Sequence, residues 1–72
     1  MQLSQGQMVK AIKVLQLNIA MYPNEYSTYQ SLGEAFMNAA NKKLAIKNYE
    51  KTLQLNPANV KAAKILEQLK TN

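Results

Sequence analysis

The chain has no Cys, no His, no Asp, no Arg and no Trp, and only two Gly and two Pro in 72 residues. Each absence removes a class of function. Without Cys there is no disulfide and no thiolate metal site. Without His, Cys or Asp, the common nucleophile–base pairs and metal-ligand sets have nothing to be built from. The four carboxylates, Glu25, Glu34, Glu50 and Glu67, fall on different predicted helices or turns, so no acid–base pair forms locally. Ser4, Ser27 and Ser31 lack the Ser-x-x-Lys spacing that would bring a lysine base onto the next turn. Gly6 and Gly33 stand alone and make no phosphate-cradling loop. The expectation is a protein without catalytic, cofactor-binding or metal-ligating residues, and hence not an enzyme.

Long apolar runs are missing too: nothing approaches the ~20 residues of a membrane span, so no membrane partner is expected. Positive charge is plentiful, with nine Lys against four Glu and a net charge of +5. A nucleic-acid surface is one reading of that excess. Against it, the guanidinium suited to bidentate base and phosphate contacts is absent. The lysines are also spread along the chain rather than gathered with aromatics on one platform. Lys43, Lys47 and Lys51 form an i, i+4 stripe that reads as a solvated helix face. Nucleic acid is therefore not expected as a partner and ranks last among the functions considered.

What is present is helical periodicity. A hydrophobic content of 47 % suits a folded chain, and a chain this short forms one small domain that buries about 60 % of its unfolded surface. Tyr29, Leu32, Gly33, Phe36 and Ala40 share one face of a helix. A second stripe follows after a turn at Ala39-Ala40-Asn41, with Asn41 a suitable N-cap. Pro57 stops that second helix near Leu55 or Asn56. Gly33 inside a helix costs about 0.5–1 kcal/mol relative to Ala, which makes sense where a neighbouring backbone comes close. Ala45 offers a similarly small contact there, and Phe36 and Tyr49 can fill the space beside it. Met8, Met21 and Met37 read as core filler.

Taken in order, Tyr29-x2-Leu32-Gly33-x2-Phe36, Ala45-x3-Tyr49 and Pro57 reproduce the thirty-four-residue pattern of a known repeat, with Tyr for its Trp, Phe for its Tyr and Tyr for its Phe. The segment 26–59 resembles a tetratricopeptide repeat. A shift of thirty-four residues also pairs Gly6 with Ala40, Ala11 with Ala45, Ile12 with Ile46, Lys13 with Lys47 and Pro23 with Pro57. By this register residues 1–25 are the second half of an earlier repeat, 26–59 a complete repeat, and 60–72 a capping helix; the chain reads as an excised piece of a longer array. The expected fold is all-α: antiparallel helical hairpins forming a solenoid fragment of about four helices. Their expected spans are 7–21, from 24–27 to about 40, 42–55, and from the cap Asn59 to about 70. The last helix should pack through Ala62, Ala63, Leu66 and Leu69, with Val60 where it begins.

The resemblance implies a protein–protein interaction scaffold whose first helices line a peptide-binding groove. Carried onto this chain, that groove is Ser27, Gln30, Ser31, Glu34 and Asn38, with Lys61 and Lys64 beside it. Glu34 speaks against capture of a peptide carboxylate. A second reading comes from 22–26, 31–36 and 45–51, which look like the short repeat tails of bacterial serine-hydrolase or β-lactamase-like enzymes. Under it the chain is an accessory C-terminal tail that packs on, or assembles, a hydrolase. Finally, ten of the fourteen residues from Met8 to Met21 are apolar, against six from Lys42 to Leu55. Val14 and Leu17 fall outside the expected core stripe of Met8, Ala11, Ile12, Leu15 and Ile19. They are the expected docking face, covered in a parent protein or by a second copy in a homodimer, with Met1 and Leu3 adding apolar surface nearby.

Overall fold

The computed structural model describes residues 5–71, which form four α-helices: α1 (Gln5–Met21), α2 (Tyr26–Asn38), α3 (Lys42–Leu55) and α4 (Val60–Thr71). No strand occurs among the described residues, so the all-α expectation holds. Among the described residues no helix is long and apolar enough to cross a membrane. Met1 and Leu3 lie outside the described residues.

Local chemistry sets most of the boundaries. Helix α1 makes its last turn with Tyr22 N–H donating to Asn18 O at 2.7 Å, and Pro23, which has no N–H, cannot continue it. Helix α3 starts where expected because the Asn41 side-chain oxygen accepts the Leu44 N–H at 3.2 Å. It ends after Asn56 N–H donates to Thr52 O at 2.8 Å, one residue before Pro57. Helix α4 is capped the same way, with Asn59 Oδ1 accepting from Ala62 N–H at 3.0 Å.

Two boundaries differ from the sequence expectation. Helix α2 stops at Asn38 rather than near residue 40, because Ala40 adopts the left-handed conformation with φ of 58°. Ala40 N–H then donates to Met37 O and Asn41 N–H to Phe36 O, at 3.0 and 2.8 Å. This bond pair is a Schellman motif, which usually places glycine where Ala40 stands. Helix α1 is already helical at Gln5, the first described residue, so it includes Gly6, beside which a Cβ would meet only open space.

Packing runs between consecutive helices: α1 on α2, α2 on α3 and α3 on α4. The molecule measures 31 × 31 × 19 Å, a slab about two helix diameters thick. One core cluster joins Leu32, Phe36 and Ala45 with Ile12, Leu15, Ile19 and Leu44 around it. The other joins Tyr49, Ala62 and Leu66 with Ile46, Leu53 and Ile65. Leu69 touches both.

Three packing expectations are corrected. In α4 the packing stripe is Ala62 and Leu66, which are buried, with Ile65 and Leu69 partly buried, while Ala63 and Val60 are exposed. At 100° per residue the first four fall within one third of the wheel, and Ala63 and Val60 lie beyond it. Met21 and Met37 are exposed rather than core filler; only Met8 is partly buried. The neighbour that needs Gly33 is an aromatic ring rather than a backbone: a Cβ there would sit 2.8–2.9 Å from three carbons of the Tyr49 ring.

The helix phase repeats. Helix α1 ends at Met21 and α3 at Leu55; α2 begins at Tyr26 and α4 at Val60. Both pairs lie thirty-four residues apart.

Candidate functional site

Helices α2 and α4 both pack on α3, and polar side chains bridge the gap between them. Asn59 Nδ2 donates to Gln30 Oε1 at 2.8 Å, while the other end of the same amide caps α4. Both ends of Asn59 are thereby committed, which fixes its orientation and with it the spacing of α2 from α4. One turn along, Lys61 Nζ lies 3.4 Å from Glu34 Oε1. Both of these side chains are about half exposed, so this pair contributes little stability.

Beyond the bridges the gap opens into a depression of about 360 Å³ lined by Glu34, Met37, Asn38, Tyr49 and Ile65. Its floor residue, Tyr49, is fully buried and its hydroxyl has no hydrogen-bond partner among the described residues. Burial, and secondarily the Glu34 carboxylate, push the Tyr49 phenol up to about 12 from its ordinary 10. The hydroxyl is thus held neutral, as a donor or acceptor left unused by the fold.

Of the five residues expected to line a groove, Ser27, Ser31 and Asn38 are exposed, and Asn38 lies at the depression. Gln30 is half-buried and spent on Asn59, and Glu34 is shared between Lys61 and the neighbourhood of Tyr49. Lys61 stands beside the five; Lys64 is exposed and has no polar partner among the described residues. Of the residues lining the depression, sequence reasoning missed Tyr49 and Ile65. The unpaired phenol could not be found from the sequence, because pairing depends on packing across three helices.

On α1, Val14 and Leu17 are 65 and 64 % exposed, and Met21 one turn beyond Leu17 is 63 % exposed. With positions 14, 17 and 21 on one side of the helix, they form a continuous apolar stripe. Tyr22 is exposed after it.

The other layer also has a gap. Helices α1 and α3 both pack on α2 and leave between them a groove of about 680 Å³. No protein-family model matches the chain, and no curated protein matches it significantly.

Proposed function

We propose that this chain is a non-catalytic protein–protein interaction scaffold of the tetratricopeptide-repeat type, binding a peptide or protein segment across α2 and α4. The observation that carries the reading is the recurrence of helix boundaries at thirty-four residues, the period of that repeat. The contact of Gly33 with Tyr49 supports it, since it gives a physical reason for the glycine in the motif. The candidate contact surface is Ser27, Ser31 and Asn38 with the exposed parts of Gln30 and Glu34.

The test is capture of peptides pooled from the source organism, followed by Ser31→Arg with Asn38→Arg. Gln30 is left alone because its loss would also unpair Asn59. The double variant should lose the captured peptide while keeping its far-UV helix signal. Unchanged binding removes this face from the site.

A second reading rests on the α1 stripe. Isolated apolar side chains on a surface are ordinary, but a continuous row marks an interaction face. Val14, Leu17 and Met21 suit cover by the catalytic domain of a bacterial hydrolase of which this chain is the accessory tail, or by a second copy. Sedimentation of the wild type against Val14→Lys with Leu17→Glu separates these covers. A wild type that dimerises while the variant stays monomeric assigns the stripe to self-association. A monomeric wild type leaves the parent protein as its cover.

A further inference from the structure

The groove between α1 and α3 lies in the opposite layer from the proposed peptide surface, and its chemistry differs. Its floor is apolar, formed by Ile19 of α1, Leu32 and Phe36 of α2, and Leu44 of α3. One edge carries Lys47 and Lys51, a turn apart on α3. Neither ammonium has a carboxylate partner among the described residues; Glu34 and Glu50 pair with Lys61 and Lys70 instead. Glu50, the single carboxylate bordering the groove, is held 3.1 Å from Lys70. Lys51 is also preorganised. Its stem is partly buried, and its Nζ lies 5.7 Å from the centre of the Tyr29 ring. Tyr29 is itself anchored by its hydroxyl donating to Pro23 O at 2.8 Å. The face-on ring holds the cation without neutralising it. The groove is therefore an apolar trough with an uncompensated, positioned positive edge.

We propose that this groove docks an amphipathic helix of an acidic partner protein. Its apolar ridge, at i, i+3 and i+7, would lie on the partly exposed Ile19 and Leu44, with the edge of Phe36 beneath them. Two carboxylates one turn apart along its flank would meet Lys47 and Lys51. Spacing carries the match: lysines at i and i+4 lie about 6 Å apart, the separation that an i, i+4 carboxylate pair presents on a partner helix. Val14 and Leu17 lie on the other side of α1, roughly 140° and 160° from Ile19 on the helical wheel, so a copy or parent domain seated there leaves the groove open. This assignment does not depend on the α2–α4 reading.

The probe is a synthetic helical peptide of about eighteen residues, long enough to hold some helix in water. It carries leucines at i, i+3 and i+7, glutamates at two flanking positions four apart, and a fluorophore for anisotropy. Its controls replace both glutamates by glutamine or by lysine, and the target is the full chain. The glutamate peptide should bind saturably at low salt, and the glutamine peptide roughly fivefold to tenfold more weakly. Lys47→Glu with Lys51→Glu should lose the glutamate peptide and gain the lysine peptide. Lys10→Glu with Lys64→Glu changes net charge equally, away from the groove, and should bind like the wild type. Amide shifts on binding should centre on Gln16, Ile19, Lys47 and Lys51. Three results overturn the proposal: equal loss in the Lys10/Lys64 variant, shifts centred on Ser31 and Asn38, or no peptide binding. Saturable binding of dodecanoate with none of the peptide overturns it as well, giving the groove to a lipid carboxylate.

Discussion

Helices α1 and α3 carry the same tripeptide at the same phase, Ala11-Ile12-Lys13 and Ala45-Ile46-Lys47, yet they are buried differently. In α3, Ala45, Tyr49 and Thr52 have no exposed surface, and Thr52 satisfies its hydroxyl on Asn48 O at 2.9 Å. The matching positions in α1 are Ala11 and Leu15, both partly exposed, and Asn18, which is exposed. The residues do not explain the difference; the neighbours do. Helix α3 is packed by α2 on one side and α4 on the other, whereas α1 packs on α2. A helix pattern therefore specifies which face is offered to a core, and the number of adjoining helices decides how much is buried.

The widest contrast should come from matched truncations. Tyr49→Ala empties a fully buried aromatic site and should cost about 3–5 kcal/mol. That is a large share of the stability a chain of this length holds, about 4–11 kcal/mol at 0.05–0.15 per residue, so the variant should melt far below the wild type by circular dichroism. Leu15→Ala removes a half-buried side chain and should cost roughly 1–2 kcal/mol, below the usual core range. Equal losses in urea melts would mean that α1 is packed as firmly as α3.

The second effect isolates the close contact. Gly33→Ala gains helix propensity of up to ~1 kcal/mol but drives a Cβ into the Tyr49 ring at 2.8–2.9 Å. The ring is fully buried and can yield only by breaking its packing with Ala62 and Leu66, so overpacking of about 1–3 kcal/mol should win. Pairing Gly33→Ala with Tyr49→Leu should recover part of the loss. No recovery would place the strain elsewhere.

Tyr49 also separates the two helices by pH, since Leu15 cannot titrate. A phenol whose folded value is raised to about 12 favours the fold in its protonated form. Stability from this group is complete below pH 10, falls as the unfolded chain ionises, and is gone by about pH 12, a loss of roughly 2–3 kcal/mol. Tyr49→Phe should remove that alkaline slope. At neutral pH it should melt at or above the wild-type temperature, because a buried hydroxyl without a partner costs about 1–3 kcal/mol. A lower melting temperature would show that the hydroxyl has a partner, such as a bound water.

What could be read from the sequence follows the range of the interaction. The start of α3 at Asn41, the start of α4 after Asn59, and the stops at Pro23 and Pro57 depend on one residue and its near neighbours, and each was visible. The α2 stop was not, since a left-handed alanine carries no signature where glycine would announce itself. Gly33 marks a close approach in the sequence, but the identity of the visitor depends on how α3 turns over α2. The polar surface of α2 was legible as a face. Its division into a structural bridge, Gln30 to Asn59 across twenty-nine residues, and exposed residues such as Ser31 was not.

The smallest effect concerns the approaches to the two helices. The thirty-four-residue register sets Gly6 against Ala40, and each residue would suit the other's place. Gly6 is helical with open space beside it, so Gly6→Ala should gain at most ~0.5–1 kcal/mol. Ala40 is left-handed, which costs an L-residue about 1–2 kcal/mol. Glycine would remove that strain but add chain entropy to the unfolded state worth about 0.4–1 kcal/mol. The net gain from Ala40→Gly should be ~0.5–1 kcal/mol, a rise in Tm of several degrees at roughly 4–8 °C per kcal/mol. Both gains are backbone effects, so they should appear without any change in the packing of Tyr49 or in its alkaline slope. A fall in Tm for Ala40→Gly would mean that the chain leaves α2 by a right-handed turn, and the Schellman bonds from Ala40 and Asn41 would then be absent.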